Sequence, residues 1–234
     1  MSTLHWGGQP LELLGEKAVW DPTRRTLLLA DLHLGKAETF QIHGIPLPSD
    51  GDASTINALL ALAHRLTPET VIVLGDLIHS RLGLTAELRA KLSALPELLG
   101  CPLRLIGGNH ERGSWMEGLR QEPSQALGPW WLSHEPDARP GHLNLCGHLH
   151  PVAVVGTGRE RLRLPCFALD RQSQRLALPA FGHLTGGHPC SLGDQIWLIA
   201  DGCVMPWTPS AASRRSGPNG ISPPRPEPAP HHHG

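Results

Sequence analysis

Three short apolar runs each end in an acid or a glycine: residues 26–31 (TLLLAD), 71–76 (VIVLGD) and 102–107 (PLRLIG). Each has the length of a buried strand, with a turn signal directly after it. Between the first two, Ile56, Leu59, Leu60, Ala63 and Leu66 recur at helical spacing, which predicts a helix over 53–66 capped by Asp52 or Ser54. A second helical pattern covers 84–99, with Thr85 and Glu87 near its start. Strands alternating with helices indicate parallel β-α-β units.

After Gly113 the pattern changes. Residues 129–133, 143–146, 161–167, 175–179 and 195–199 are short strand-like runs joined by Gly and Pro turns, with no long helical pattern between them. This half predicts a second, largely antiparallel sheet packed on the first. From Pro209 onward the chain is rich in Pro, Ser, Gly and Arg and closes with His231, His232, His233 and Gly234. Such a segment cannot bury a core and is expected to be disordered. The expected organisation is therefore one α/β domain over 1–208 and a tail over 209–234.

Composition narrows the class. The chain has 234 residues, 40% hydrophobic and 18% charged, enough for one sizeable core. No run of 18 apolar residues occurs, so no membrane span is expected. The first ten residues lack a basic stretch followed by an apolar one, and the expected location is the cytoplasm. A formal net charge of −1 lends no global support to nucleic-acid binding, so any such contact needs a local patch. The five cysteines have irregular spacing and no CxxC pair, which argues against a zinc ribbon or a disulfide framework and for small buried thiols.

The candidate chemistry lies directly after the strands. Asp31 and His33 (DLH) follow the first, Asp76 (GD) ends the second, and Asn109 and His110 (GNHE) follow the third. His134 (SHEP) and then His148 and His150 (GHLH) follow the next two. Ligands of α/β sheets bind outside the carboxyl ends of the strands, so these groups are expected in one cleft. Imidazole and carboxylate without thiolate suit Mn, Fe or Zn. The candidate ligands are too many for one ion and fit two sharing a bridge, with Asp76 suited by its place in the chain. Two ions roughly 3.5–4 Å apart activate a water and clamp phosphoryl oxygens.

Each motif alone is weak; the ordered set DxH, GD, GNHE, H, GHxH is specific. It resembles the calcineurin-like metallophosphoesterase family over residues 28–151. The resemblance implies a two-sheet β-sandwich flanked by helices in four α/β/β/α layers, and a metal-dependent hydrolase of phosphoric esters. It implies that Asp31, His33, Asp76 and His150 hold one divalent ion, and Asp76, Asn109, His134 and His148 the other. His110 would not ligate. It would stabilise phosphoryl charge or protonate the leaving oxygen, oriented by Glu111 or a nearby carboxylate. DLHLGK followed by GIPLP (44–48), GDLIHS, GNHE, SHEP and LPAFGHLTGG (178–187) are similar to one branch, the bacterial ligase-associated DNA-damage-response endonucleases (PdeM). That similarity implies Mn²⁺, a DNA substrate as single strands or ends, and a DNA ligase and a helicase as partners. Lipid-precursor pyrophosphatases of the family typically carry Arg where this chain has His110.

Outside the ligand set, Lys36, His79 and Arg112 are candidate substrate contacts, each equally readable as ordinary surface or strand-end chemistry. Trp130 and Trp131 read first as core and second as base-stacking surfaces. Two alternatives stand beside the nuclease reading: a phosphoesterase for nucleotides or small monoesters, and a non-catalytic interaction module on the same fold. Phosphate-loop and serine-hydrolase motifs (GxxxxGK[ST], GxSxG) are absent from the sequence.

Overall fold

The structure is a computed structural model that describes residues 1–48, 50–111, 119–156, 160–190 and 194–208. The expected tail, 209–234, and Arg112 lie outside the described residues. The first sheet holds β1 (Ser2–Trp6), β2 (Gln9–Leu13), β3 (Val19–Asp21), β4 (Thr26–Leu29), β5 (Thr70–Leu74), β6 (Leu103–Ile106) and β7 (Gln121–Glu122), in that spatial order. Strands β1 to β4 pair antiparallel, and β4 to β7 parallel. Helices α1 (Lys36–Ile42), α2 (Gly51–Leu66) and α3 (Ala86–Leu99) belong to the same half. The parallel β-α-β core is as expected, because its strands are apolar on both faces and its helices periodic on one.

Alternation along those strands builds two cores. Leu27, Leu29, Val71 and Val73 face α2 and α3 through Leu59, Leu62, Leu88 and Leu95. Leu28, Ile72, Leu74 and Ile106 face the second sheet, where Trp130, Leu145, Phe167 and Leu176 meet them. Each such side chain stabilises the fold by roughly 1.5–3 kcal/mol relative to an exposed one.

The second sheet contains β8 (Gln125–Leu127), β9 (Trp130–Ser133), β10 (Leu143–Cys146), β11 (Pro151–Val155), β12 (Leu162–Asp170), β13 (Arg175–Ala177), β14 (His188–Pro189), β15 (Gln195–Ala200) and β16 (Cys203–Trp207). Most of its pairings are antiparallel, but the edge strand β14 runs parallel to β11, and β10 runs parallel to both of its neighbours, β9 and β13. The expectation of a largely antiparallel sheet therefore fails at its centre. Short runs joined by turns do not report strand direction, and here direction decides where His134 and His148 end up. The outer face of this sheet carries small apolar clusters around Cys166 and Ala168, with no helix over it among the described residues.

Other differences are local. The β1–β3 meander was not anticipated, although Gly7 and Gly8, both at positive φ, mark its first hairpin. Helix α1 has 7 residues, too few to show a period. Neither proposed residue caps α2: Asp52 instead accepts the Gly35 N–H at 2.7 Å. Thr85 does cap α3, accepting the Leu88 N–H at 3.1 Å. None of the five cysteines forms a disulfide among the described residues, and three of them are buried. Among the described residues no helix is long and apolar enough to cross a membrane.

Candidate metal centre

The loops after β4, β5, β6, β9 and β10 open on one edge of the sandwich and bring the predicted ligands together. Five of these residues, Asp31, His33, Asp76, His148 and His150, have left-handed backbone conformations with φ between 41° and 63°. Non-glycine residues adopt this region reluctantly, at a cost of about 1–3 kcal/mol each, and Asp and His are among the more tolerant. Five such turns in one cleft, on residues chosen for their side chains, mark a functional site.

The Asp76 carboxylate lies at the centre. Its Oδ2 is 3.7 Å from His33 Nε2 and 3.4 Å from His134 Nε2. On one side, His150 Nε2 is 3.2 Å from Asp31 Oδ1 and 3.5 Å from His33 Nε2. On the other, Asn109 Oδ1 is 2.8 Å from His134 Nε2 and 3.1 Å from His148 Nδ1. Three compact donor sets result among the described residues: Asp31–His33–His150, Asp76–His134–His148 with Asn109 beside it, and the all-imidazole His33–His79–His110, which shares His33 with the first and holds no carboxylate.

The surroundings hold these donors in place. His134 Nδ1 faces the Leu74 carbonyl at 2.9 Å, so Nδ1 carries the proton and Nε2 is left as a donor. Glu111 is buried and accepts the N–H groups of Asp76 (3.0 Å), Gly108 (3.1 Å) and Ile78 (3.0 Å). It thus fastens the β5 and β6 loops together and does not orient His110. The His110 Nδ1 instead donates to the His79 carbonyl, which leaves Nε2 facing Asp76 Oδ2 at 3.8 Å.

Close approach requires glycines. A Cβ at Gly75 would lie 2.3 Å from His134 Nδ1, one at Gly108 would lie 2.3 Å from Asp76 Oδ1, and one at Gly147 would lie 2.7 Å from Asp31 Oδ2. The motifs GD, GNHE and GH contain these glycines, so the signal was present, but spacing alone does not say what each glycine faces.

Charge makes the case for cations. Asp31 and Asp76 are 0% and 2% exposed, and no Lys or Arg among the described residues pairs with them. Burial, followed by neighbouring His150, His110, His79 and Lys36, pushes His33 down to about 2, so its ring is neutral and its contact with Asp76 is no ion pair. Two buried carboxylates without a Lys or Arg partner are costly unless cations compensate them. Hard oxygens and imidazole nitrogens around a shared carboxylate fit two divalent ions.

The remaining candidates separate. His79 lies in the cleft, its Nδ1 3.2 Å from His33 Nδ1 and its ring stacked on His110 at 5.1 Å. Burial, then His110 and Lys36, lower it to about 4. Lys36 stands at the start of α1, half-buried, over the Phe40 ring. Trp130 is core, and its Nε1 donates to the buried Asp21 at 2.7 Å. Trp131 packs under Arg139 and donates to Asp137 at 2.9 Å.

The calcineurin-like phosphoesterase family matches residues 24–171, more than half of the chain and every predicted ligand. The chain belongs to the calcineurin-like phosphoesterase family. It is a metal-dependent phosphoester hydrolase, and this family works with a dinuclear metal centre. Among solved structures, this metallophosphoesterase is similar to the Pseudomonas putida nuclease MPE, with 33% identity and a TM-score of 0.73, covering 88% of this chain and 99% of that one. It is also similar to Yfce, a phosphoesterase from E. coli, at 14% identity and TM-score 0.39 over 75% and 88% of the two chains. No curated protein matches the chain.

Proposed function

We propose that this metallophosphoesterase is a phosphodiesterase and endonuclease that cleaves DNA, as single strands or at ends, in DNA repair. The reading extends to the cytoplasm as its location, Mn²⁺ as its metal (Fe or Zn as alternatives), and a DNA ligase and a helicase as partners. The observation that carries it is Asp76 lying between two donor sets, joined to 33% identity with a protein described as a nuclease.

Asp31, His33, Asp76 and His150 would hold one ion, and Asp76, Asn109, His134 and His148 the other. Bound there, the ions would activate a water and offset phosphoryl charge. His110 is anchored through Nδ1 and 31% exposed, so Nε2 is free to meet a substrate oxygen. Protonated there, it neutralises phosphoryl charge or gives its proton to the leaving oxygen. His79 keeps His110 in that pose through its carbonyl and packs against it through its ring. Lys36, and Arg112 by its place in the sequence, would meet flanking phosphate.

The test is turnover by the purified protein with Mn²⁺, on bis(p-nitrophenyl) phosphate and on single-stranded DNA. Cleavage of both is expected; no turnover of either, with two ions bound, would overturn the reading. A second reading, hydrolysis of a small phosphate ester, is favoured by the net charge of −1 and by a cleft of about 350 Å³ beside Asn109 and His134, within the range of small-molecule sites. Mononucleotides cleaved far faster than polymers would select it.

A further inference from the structure

One late segment, residues 178–190, touches the site without supplying a ligand. The Leu178 N–H donates to the Cys146 carbonyl (2.8 Å), Phe181 to Ala30 (2.9 Å), Gly182 to Asp31 (3.2 Å) and His188 to His150 (2.9 Å). It therefore bridges the β4 loop of the first sheet and the β10 loop of the second. Two of its glycines permit this. A Cβ at Gly182 would lie 2.2 Å from the Leu32 carbonyl oxygen, and one at Gly187 would lie 2.6 Å from that of His150.

The segment is itself tied down by two residues outside the ligand set. Lys17 Nζ donates to the Phe181 carbonyl at 2.7 Å, across 164 residues. Lys17 adopts φ 66° in the β2–β3 turn, where glycine or asparagine is cheaper, and burial holds its ammonium down to about 8. Neither feature favours lysine on stability grounds. The second tie is Thr55, buried in α2, whose hydroxyl accepts the His183 N–H (3.1 Å) and donates to the Gly51 carbonyl (2.8 Å).

The hydrogen bonds to ligand residues are selective. They reach Asp31 and His150, which share one donor set, and among the described residues none reaches Asn109 or His134 at the second. We infer that residues 178–190 are a splint for one of the two metal positions, the Asp31–His33–His150 position, with Lys17 and Thr55 as positioning residues that hold the splint. Asp31 and His150 stand in strained turns on different sheets, so their separation depends on what bridges them.

The experiment is a calorimetric Mn²⁺ titration of the full chain as wild type, Lys17→Met, Thr55→Val, Thr55→Ser and Gly182→Ala, each shown folded by its thermal melt. Thr55→Val is nearly isosteric and removes only the hydroxyl, whereas Thr55→Ser keeps it. The expected result is two binding events in the wild type. One weakens by about tenfold or more in Lys17→Met, Thr55→Val and Gly182→Ala, as losses around metal ligands commonly do, while the other stays within about twofold. Thr55→Ser retains wild-type binding. Equal weakening of both events, or no weakening in Thr55→Val and Lys17→Met, would overturn the inference. It rests on the two-ion reading, which fails separately if the wild type itself binds fewer than two ions.

Discussion

The backbone N–H of His148 donates to both carboxylate oxygens of Asp31, at 3.2 and 3.0 Å, across 117 residues of chain. Asp31 lies in the loop after β4 of the first sheet and His148 in the loop after β10 of the second, so this contact closes the sandwich at its cleft. The negative charge that would meet a cation is also what aligns the His148 turn.

Gly147 makes that approach feasible. Its φ is not in the left-handed region, so alanine there is a purely steric change, with Cβ 2.7 Å from Asp31 Oδ2 and 2.8 Å from Ala30 Cβ. Gly147→Ala is expected to destabilise the protein by about 1–3 kcal/mol and weaken metal binding by about tenfold or more. Urea melts with a parallel metal titration measure both; wild-type values in each would contradict the packing.

Asp76 and His110 are expected to fail differently. Asp76→Asn removes the shared charge, and both metal equivalents should weaken by roughly 10–100-fold. His110→Asn should keep its metal and lose about 10²–10⁴-fold in kcat. Elemental analysis beside steady-state kinetics separates these outcomes, and metal loss from the His110 variant would refute its non-ligand role.

Acid should destabilise the metal-free protein. His33 and His79 bind protons only at about 2 and about 4 when folded but near 6.5 when unfolded, so their stabilisation is present above pH 6.5 and is lost as pH falls. Asp52 acts in the opposite sense, because burial raises it to about 6 and its folded form takes up a proton that the unfolded chain does not. Glu111, also raised by burial, acts with Asp52, and the larger histidine shifts, that of His33 above all, leave a net loss between pH 6 and pH 4. Urea midpoints of chelator-treated protein at pH 7, 6, 5 and 4 should decline in that order, and His79→Gln should flatten the decline. A midpoint that rises towards pH 4 would show the balance to be wrong.

Trp130→Phe tests the core role of the indole. The change leaves Asp21 Oδ2, in a carboxylate 0% exposed, with only the Arg24 guanidinium at 3.0 Å among the described residues. A loss of about 1–3 kcal/mol is expected, with metal content and DNA affinity unchanged. A selective loss of DNA binding would instead support base stacking.

The sequence by itself determined the parallel half of the fold, since buried strands and one-faced helices leave periods of two and 3.6 that read directly. It also determined which residues converge, because every candidate ligand follows a strand and strand ends share an edge. What only the tertiary structure decided was relational. The direction of β9 and β10 depends on partners across the sheet, and short turn-linked runs do not encode it. Glu111 fastens two loops and leaves His110 to a carbonyl, a choice set by which N–H groups happen to face a buried carboxylate. Lys17 and Thr55 carry no motif at all. Their part arises from hydrogen bonds to carbonyl and N–H groups more than a hundred residues away, and backbone groups are the same at every position in a sequence.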